Sequence, residues 1–310
     1  MGTHLIEALI ASGFNVRCFG RRNAKTAASW ENRFDSVTGD LNSESDITAA
    51  MAGCGVCVHL ASTTNPATSN LDPVFDISTN LIGTLNLLNA ATRLGTSKII
   101  FVSSGGTVYG PPLSTPIRED HPTNPITSYG IVKLAIEKYL DFFRHNHGLD
   151  YIVLRVANPY GEGQNVESGQ GAIAAFLHKA LRNEVVDIWG NGEVVRDYIY
   201  IKDATNAIIS AIKLREPQKE RLFNIGSGIG YTLNEVLSTI ENVVGVQISR
   251  RYLSARTFDV RVNVLSIDRA RIGLNWSPQI SLADGIQRFA SSLMSNRVSH
   301  RNDTTREYSE

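Results

Sequence analysis

The feature that most constrains the fold is a regular alternation of short apolar segments with longer amphipathic ones in the first half of the chain. The short segments are mostly apolar, as buried strands are, and they cover residues 14–19, 55–62, 98–104 and 150–156. The longer segments repeat apolar residues at helical spacing, and they cover residues 3–12, 76–95 and 126–148. This alternation predicts a parallel sheet covered by helices on both sides, a doubly wound α/β fold of the Rossmann type.

The alternation stops after Tyr160, where the sequence becomes polar and rich in glycine over residues 161–171. Shorter helical and strand-like segments follow, which favours a smaller C-terminal lobe that binds substrate. The expected units are a dinucleotide-binding domain over 1–160, continued by about 197–213, and a substrate-binding lobe over 161–196 and 214–292. The polar end of the chain, 293–310, predicts a disordered tail.

The start of the chain differs from the usual start of a doubly wound domain, which is a strand, a glycine-rich turn and then a helix. Here the helix has already begun at residue 3, so of the glycines expected in that turn only Gly2, the one nearest the helix, can be present. We expect a strand and turn of roughly ten residues to precede Met1 in the natural protein, so that the first strand is missing here. The alternative is a protein that lacks the phosphate-binding turn.

Composition excludes several classes of function. Lys plus Arg and Asp plus Glu both total 30, and this neutrality gives no support for nucleic-acid or membrane-surface binding. The cysteines are Cys18, Cys54 and Cys57, too few ligands for a zinc site, so we expect no metal. Their small number favours a reducing compartment. Because the sequence shows neither a signal peptide nor a membrane-spanning segment, we expect a cytoplasmic protein.

The strongest signal of chemistry is the pair Tyr129 and Lys133, which lie one turn apart on a predicted helix. An ammonium next to a phenol favours the phenolate and is expected to lower the pKa of Tyr129. Such a phenolate could accept a proton from a hydroxyl near neutral pH. The pair follows an apolar strand that ends in Ser103 and Ser104, as a site at the carboxyl edge of a parallel sheet requires.

At these residues the chain resembles the extended short-chain dehydrogenases, and among them the UDP-galactose 4-epimerase-like enzymes. The resemblance extends from Gly2 to about Pro278 through the motifs VTGDL, VHLAS, SSGGTVYG, SYGIVK, RVANPYG, VVRDYIYIKDA and FNIGSG. It implies that Tyr129 takes a proton from the sugar 4-hydroxyl while a hydride passes to NAD. The 4-keto sugar then turns over, and the hydride returns to its other face. Lys133 is implied to tune Tyr129 and to hold the nicotinamide ribose.

One position departs from the family pattern. The family usually carries a Ser or Thr where this chain has Gly105. We therefore expect Ser104 to supply the catalytic hydroxyl, with Thr107 as the alternative. Gly106 and Thr107 occupy the two places where the related 4,6-dehydratases carry Asp and Glu, which argues against elimination of water.

The resemblance also implies cofactor contacts. Those residues are Gly2, Asp40, Leu41, Ala61, Asn80, Ser103, Tyr129 and Lys133. NAD-dependent members usually have an acidic residue at the end of the second strand, where this chain instead has Gly20, Arg21 and Arg22. An arginine there can pair with the additional phosphate of NADP. We expect NAD as the cofactor, with NADP possible through Arg21.

The implied substrate is a nucleotide sugar, and guanidinium groups suit its paired phosphates. The residues expected to contact it are Thr107, Asn158, Arg196, Arg256, Asp259 and Asn263. Counting forward from Arg256 places Asn263 beside the 2-substituent of the sugar, where a small side chain would admit N-acetyl sugars. The resemblance also implies a homodimer. The alternatives are an NADP-dependent 4-keto-sugar reductase and a non-catalytic relative of the fold.

Overall fold

The structure is a computed structural model. It describes residues 1–21, 33–164, 171–214, 219–255 and 260–306, with side chains described up to residue 295. Among the described residues, no helix is both long and apolar enough to cross a membrane.

The main sheet has four parallel strands in the order β3-β4-β5-β9. Their bounds are Val56–His59, Lys98–Ser104, Asp150–Val156 and Leu222–Ile225. Alternate residues of the strands point to opposite sides of the sheet, so both faces carry apolar side chains. Helices cover both faces. Ile100, Ile152 and Leu154 pack with one layer of helices, whereas Phe101 and Val153 pack with the other. The predicted doubly wound α/β class is therefore confirmed.

The helices divide between the two faces. On the face of Ile100 lie α1 (Gly2–Ala11) and α8 (Ile201–Lys213). On the face of Phe101 lie α2 (Glu44–Met51), α5 (Gly83–Leu94) and α6 (Ser128–His147). Two short helices, α3 (Pro66–Ser69) and α4 (Pro73–Asp76), precede a π-helical segment, Ile77–Ile82, which leads directly into α5.

Two further parallel strands, β1 (Arg17–Gly20) and β2 (Asp35–Thr38), form a separate sheet. Val16 and Phe19 pack into the same two apolar layers that cover β3. β1 and β3 therefore belong to one layered arrangement, although they are not paired with each other. A cavity of about 1040 Å³ lies between them and is lined by residues of both strands. We call it the central cavity.

The C-terminal lobe combines short strands with helices around its own apolar core. Its strands are β6 (Asn158–Tyr160), β7 (Val186–Trp189), β8 (Val195–Tyr200), β10 (Gly230–Thr232), β11 (Arg250–Leu253) and β12 (Val262–Asn263). Its helices include α7 (Ala172–Ala180), α9 (Leu233–Val244) and α11 (Leu282–Arg306), with α10 (Asp268–Gly273) against β9.

Two boundaries differ from those predicted. β9, which was assigned to the substrate lobe, is an edge strand of the main sheet because it pairs with β5 over Val153–Val156. The segment expected to be a disordered tail from residue 293 is helical as far as Arg306, because it continues α11. Residues 307–310 lie outside the described part of the chain.

Candidate active site

The central cavity extends from between β1 and β3 to the carboxyl ends of β4 and β5. Apolar residues of α1 and α2 line its inner part, where Leu5 and Met51 contribute. The predicted site residues that line it are Gly2, Leu41, Ala61, Ser103, Ser104, Tyr129 and Lys133. The fold thus brings the catalytic pair and a large part of the expected cofactor contacts to one place.

Helix α6 carries Tyr129 and Lys133, and several contacts fix its start. The side chain of Thr127 caps the helix by accepting a hydrogen bond from the Gly130 backbone N–H at 3.2 Å. Ser69 Oγ accepts from the Tyr129 N–H at 3.0 Å. A Cβ atom at Gly130 would lie 2.9 Å from the Thr107 carbonyl oxygen, so only glycine permits this close approach. The position of Tyr129 is therefore set by contacts that neighbouring residues make with the backbone of the first turn of α6.

Lys133 is 4% exposed, and its ammonium donates to the Val102 carbonyl at 3.1 Å. The ammonium also lies 4.8 Å from the centre of the Phe101 ring and 5.5 Å from the centre of the Tyr129 ring. Burial lowers the pKa of Lys133 to about 8, against the opposing influence of the carboxylates of Asp76 and Glu137. A lysine in this state can still hold a proton at neutral pH.

The pKa of Tyr129 differs from the lowered value expected from the sequence. Burial raises it to about 12, and the charge of Asp76 acts in the same direction. Desolvation of the phenolate is the largest cause, and the Lys133 ammonium is directed at the Val102 carbonyl. In the protein alone, Tyr129 is a neutral phenol.

A buried polar network lies directly behind Lys133. Glu137, one turn further along α6, accepts hydrogen bonds from Arg155 at 2.6 and 3.1 Å and from Ser103 Oγ at 2.5 Å. The Arg155 guanidinium also stacks 4.6 Å from the centre of the Tyr109 ring. These contacts join α6, β4 and β5, so they hold the strand ends and the catalytic helix in one fixed arrangement.

The loop after β4 explains why Gly105 replaces a hydroxyl residue. A Cβ atom there would lie 2.5 Å from Leu265 Cδ1 and 3.1 Å from the Arg155 carbonyl oxygen. A serine at this position would therefore need Leu265 to move. Ser104 lines the central cavity together with Tyr129, whereas Thr107 does not line it, and the Thr107 hydroxyl is buried without a hydrogen-bond partner.

Other expected cofactor contacts lie outside the cavity lining. Asp40 is exposed, and its Oδ1 atom accepts from the Asn42 N–H at 2.8 Å. Arg21 is exposed at the end of β1, and Arg22 lies outside the described residues. Asn80 is 6% exposed, and its Oδ1 atom accepts from the Thr63 N–H at 2.8 Å, which fixes the loop after β3.

The expected substrate residues occupy neighbouring strands of the C-terminal lobe. Asn158 on β6 donates to the Asp197 carbonyl at 2.7 Å. Arg196 on β8 donates to the carbonyls of Val195 at 2.9 Å and Val260 at 2.6 Å. Arg256 and Asp259 lie outside the described residues.

Asn263 does not form the pocket wall that was predicted. It is 1% exposed, and its Nδ2 atom donates to the Gly105 carbonyl at 3.2 Å, while its Oδ1 atom has no hydrogen-bond partner. The cause is the pairing of β12 with β8, which places Asn263 beside Arg196 under the loop after β4. Asn263 thus supports that loop.

Two residues near the catalytic pair, Asp76 and His59, were not predicted from the sequence. Asp76 is completely buried and hydrogen-bonded to Ser128, the residue before Tyr129. His59 lines the central cavity, and burial, followed by the charge of Lys133, lowers its pKa to about 3. Asp76 lies four residues before Asn80 in the predicted helix, a spacing at which the two side chains can form a hydrogen bond, so the sequence could have indicated it. Its contact with Ser128 could not be predicted, because it joins segments that are distant in sequence.

Comparison with known proteins identifies the family of this chain. The family model described as the NAD dependent epimerase/dehydratase family matches residues 1–226. A putative UDP-glucose 4-epimerase of Methanocaldococcus jannaschii is 31% identical over 297 residues, which cover 96% of each chain. The crystal structure of a Thermotoga maritima UDP-glucose 4-epimerase with UDP-glucose has a TM-score of 0.90 and 32% identity, covering 96% of each chain. A Thermus thermophilus UDP-glucose 4-epimerase in complex with NAD has a TM-score of 0.85 and 28% identity, covering 94% of this chain and 95% of that one.

Proposed function

The chain belongs to the NAD dependent epimerase/dehydratase family, and we propose that it interconverts UDP-glucose and UDP-galactose. It is a nucleotide-sugar 4-epimerase, an isomerase, and NAD is its cofactor. The observation that carries the proposal is the placement of Tyr129, Lys133 and Ser104 around one cavity at the carboxyl edge of the main sheet. This is where ligands bind in open α/β sheets.

The residues that line the central cavity fit NAD. One end presents the ammonium of Lys133 and the hydroxyl groups of Tyr129 and Ser104, which suit a ribose and a nicotinamide ring. Gly2 lies in the first turn of α1, where outward-pointing N–H groups suit a pyrophosphate. When bound, NAD supplies a reversible hydride acceptor for C4 of the sugar.

Within this arrangement, the chain itself handles the proton. Tyr129 loses its own proton to the solvent before the reaction, and its phenolate Oη then accepts the proton of the 4-hydroxyl and gives it back after the sugar has turned over. Lys133 provides a fixed positive charge that favours this phenolate before the proton leaves the sugar. The Glu137 network keeps α6 in register with β4, so that Tyr129 and Lys133 hold their positions through both halves of the reaction.

Ser104 takes the place of the hydroxyl that Gly105 lacks. It is the last residue of β4 and lines the cavity beside Tyr129. Its Oγ atom is the group best placed to donate a hydrogen bond to the oxygen at C4, where negative charge develops. Arg196, with Arg256, is proposed to bind the diphosphate, Asp259 the nucleotide ribose, and Asn158 the sugar.

The test is product analysis by NMR. The protein is incubated with UDP-glucose and a substoichiometric amount of NAD, and UDP-galactose should accumulate to equilibrium without net formation of NADH. Stoichiometric consumption of NADPH with a 4-keto sugar would instead identify the alternative, a reductase. Absence of turnover by a folded, NAD-bound protein would contradict the proposed function.

We also propose a homodimer formed through the outer face of α6. Ile131 and Phe142 are 55% and 50% exposed, and Tyr139 lies between them on the same stripe and contacts the Phe142 ring. Large apolar side chains at this spacing on an exposed helix favour association with a second copy. Light scattering should give the mass of two chains, and Phe142→Glu should give that of one. The cytoplasmic location stays a prediction.

A further inference from the structure

Asp76 stands at the centre of a buried polar cluster that the proposed mechanism does not use. It is the last residue of α4, immediately before the π-helical segment, and its exposed fraction is 0%. Its Oδ1 atom accepts from Thr64 Oγ1 at 2.6 Å and from Asn80 Nδ2 at 2.8 Å, and its Oδ2 atom accepts from Ser128 Oγ at 2.7 Å. This is the acceptor-only pattern of an ionised carboxylate.

The three donors come from three separate parts of the fold. Thr64 follows β3, Asn80 lies in the π-helical segment, and Ser128 is the first residue of α6. Two further contacts reinforce the last of these, because Asn70 Oδ1 accepts from the Ser128 N–H at 2.9 Å and Ser69 accepts from the Tyr129 N–H. Asp76 thus ties the segment that carries Asn80 to the start of the catalytic helix.

Asp76 also acts on the catalytic pair through its charge. The groups that influence Tyr129 and Lys133 are Asp76 from α4, Glu137 from α6 itself, and His59 from β3, which is neutral. Glu137 is occupied by a close ion pair with Arg155, whereas the hydrogen-bond partners of Asp76 are neutral side chains. Of the two carboxylates, Asp76 is therefore the one whose negative charge is less neutralised by its hydrogen-bond partners.

We propose that Asp76 is a positioning residue that sets the range of pH over which the Tyr129–Lys133 pair is active. Its charge favours the protonated form of both groups, and its hydrogen bonds hold Ser128 and Asn80 in place. The inference rests on the proposed function, because it concerns the proton transfer assigned to Tyr129. A π-helical turn directly after Asp76 is consistent with a segment shaped for function.

The direction of the effect follows from the signs. Asp76 raises the pKa of both Tyr129 and Lys133. Activity requires the Tyr129 phenolate together with the Lys133 ammonium. Because the pKa of Lys133, about 8, lies below that of Tyr129, about 12, the acid limb of the pH profile ends near the pKa of Lys133 and the alkaline limb begins near that of Tyr129. Removing the charge lowers both pKa values, so both limbs should move to lower pH together, by about 1 unit.

The experiment compares pH profiles of kcat for three variants with that of the wild type. Asp76→Asn removes the charge and keeps the shape, and Asp76→Ser is a second charge-removing variant in case the first does not fold. Ser128→Ala removes one hydrogen bond and keeps the charge. Asp203→Asn is the matched control, because Asp203 is 2% exposed in α8 and accepts N–H groups of Gln279 and Ile280, away from the site.

The proposal predicts that both limbs shift to lower pH in the folded Asp76 variant and stay in place in Ser128→Ala and Asp203→Asn. Unmoved limbs in a folded Asp76 variant would overturn it, as would an equal shift in Asp203→Asn. The phenolate absorbance of Tyr129, taken as wild type minus Tyr129→Phe, is a readout that does not need turnover. Its appearance at lower pH in Asp76→Asn supports the proposal even if UDP-glucose proves not to be a substrate.

Discussion

The strands β4 and β5 differ from β1 and β3 in how many neighbouring strands they pair with and in how deeply they are buried. β4 and β5 pair on both edges and are almost completely buried, whereas β1 and β3 pair on one edge, border the central cavity and are largely half-buried. All of these strands share the same apolar layers, so composition does not explain the difference. The structure therefore contains a closely packed part around β4 and β5, beside a more open part that borders the central cavity.

This difference matches what each part has to do. Proton transfer needs atoms held within a few tenths of an ångström, and Tyr129 and Lys133 are supported by the network of Glu137 and Arg155. A dinucleotide is bound along an extended surface, and three of the residues expected to contact it, Gly2, Leu41 and Ala61, line the central cavity away from this network. Chemistry should therefore be sensitive to changes near β4, and less so near β1.

The largest expected effect is on turnover in the closely packed part. Tyr129→Phe removes only the oxygen that carries the proton, so we expect kcat to fall by about 10³-fold or more while the fold is unchanged. Steady-state kinetics with UDP-glucose measure this. Tyr139→Phe, on the exposed side of the same helix, is the control and should retain activity. Substantial activity in Tyr129→Phe would remove Tyr129 from the mechanism.

The next effect compares ion pairs in the two parts. Arg155→Met leaves Glu137 buried and unpaired, which should lower the free energy of unfolding by about 3–5 kcal/mol. Arg17→Met removes a partly exposed pair with Asp35 between β1 and β2, and should cost about 0–1 kcal/mol. Urea unfolding measures both. Equal losses would show that the two parts are equally dependent on their charges.

A smaller effect on turnover separates the two candidate hydroxyl groups. Ser104→Ala should lower kcat by about 10- to 10³-fold, the usual range for one contact to a reacting oxygen. Thr107→Val should have little effect, because the Thr107 hydroxyl does not reach the central cavity. If the two variants exchange these outcomes, the catalytic hydroxyl belongs to Thr107.

The smallest effect concerns local opening. Backbone N–H groups of β1 and β3 should exchange with deuterated solvent about tenfold faster or more than those of β4 and β5. Addition of NAD should slow exchange at Val56–His59, which borders the central cavity, more than at Asp150–Val156. Equal exchange rates in all of these strands would show that the two parts open locally to the same extent, contrary to this prediction.

The amino-acid sequence predicted the fold class and the placement of Tyr129 and Lys133 on one helix, because both depend on local spacing. Alternating apolar segments determine a parallel sheet, and Tyr129 and Lys133 share one helix face whatever surrounds them. The helical continuation of α11 past residue 293 was missed, since a polar sequence alone does not distinguish a helix from a disordered segment.

Residues whose role depends on contacts distant in sequence could not be predicted. Asn263 was placed in the sugar pocket by counting along the chain, but the pairing of β12 with β8 turns it toward Gly105. The pKa of Tyr129 was expected to fall because of Lys133, but burial and Asp76 raise it. Both outcomes depend on tertiary packing, which periodicity and spacing do not describe.

The central claim is that this site moves a hydride from C4 of the sugar and returns it to the same carbon. The most direct measurement follows UDP-glucose carrying deuterium at C4 by NMR and mass spectrometry, with substoichiometric NAD. UDP-galactose should retain the deuterium at C4, with none released to the solvent, and Tyr129→Phe should give no conversion. Loss of the deuterium to water, or its permanent transfer to another molecule, would contradict it.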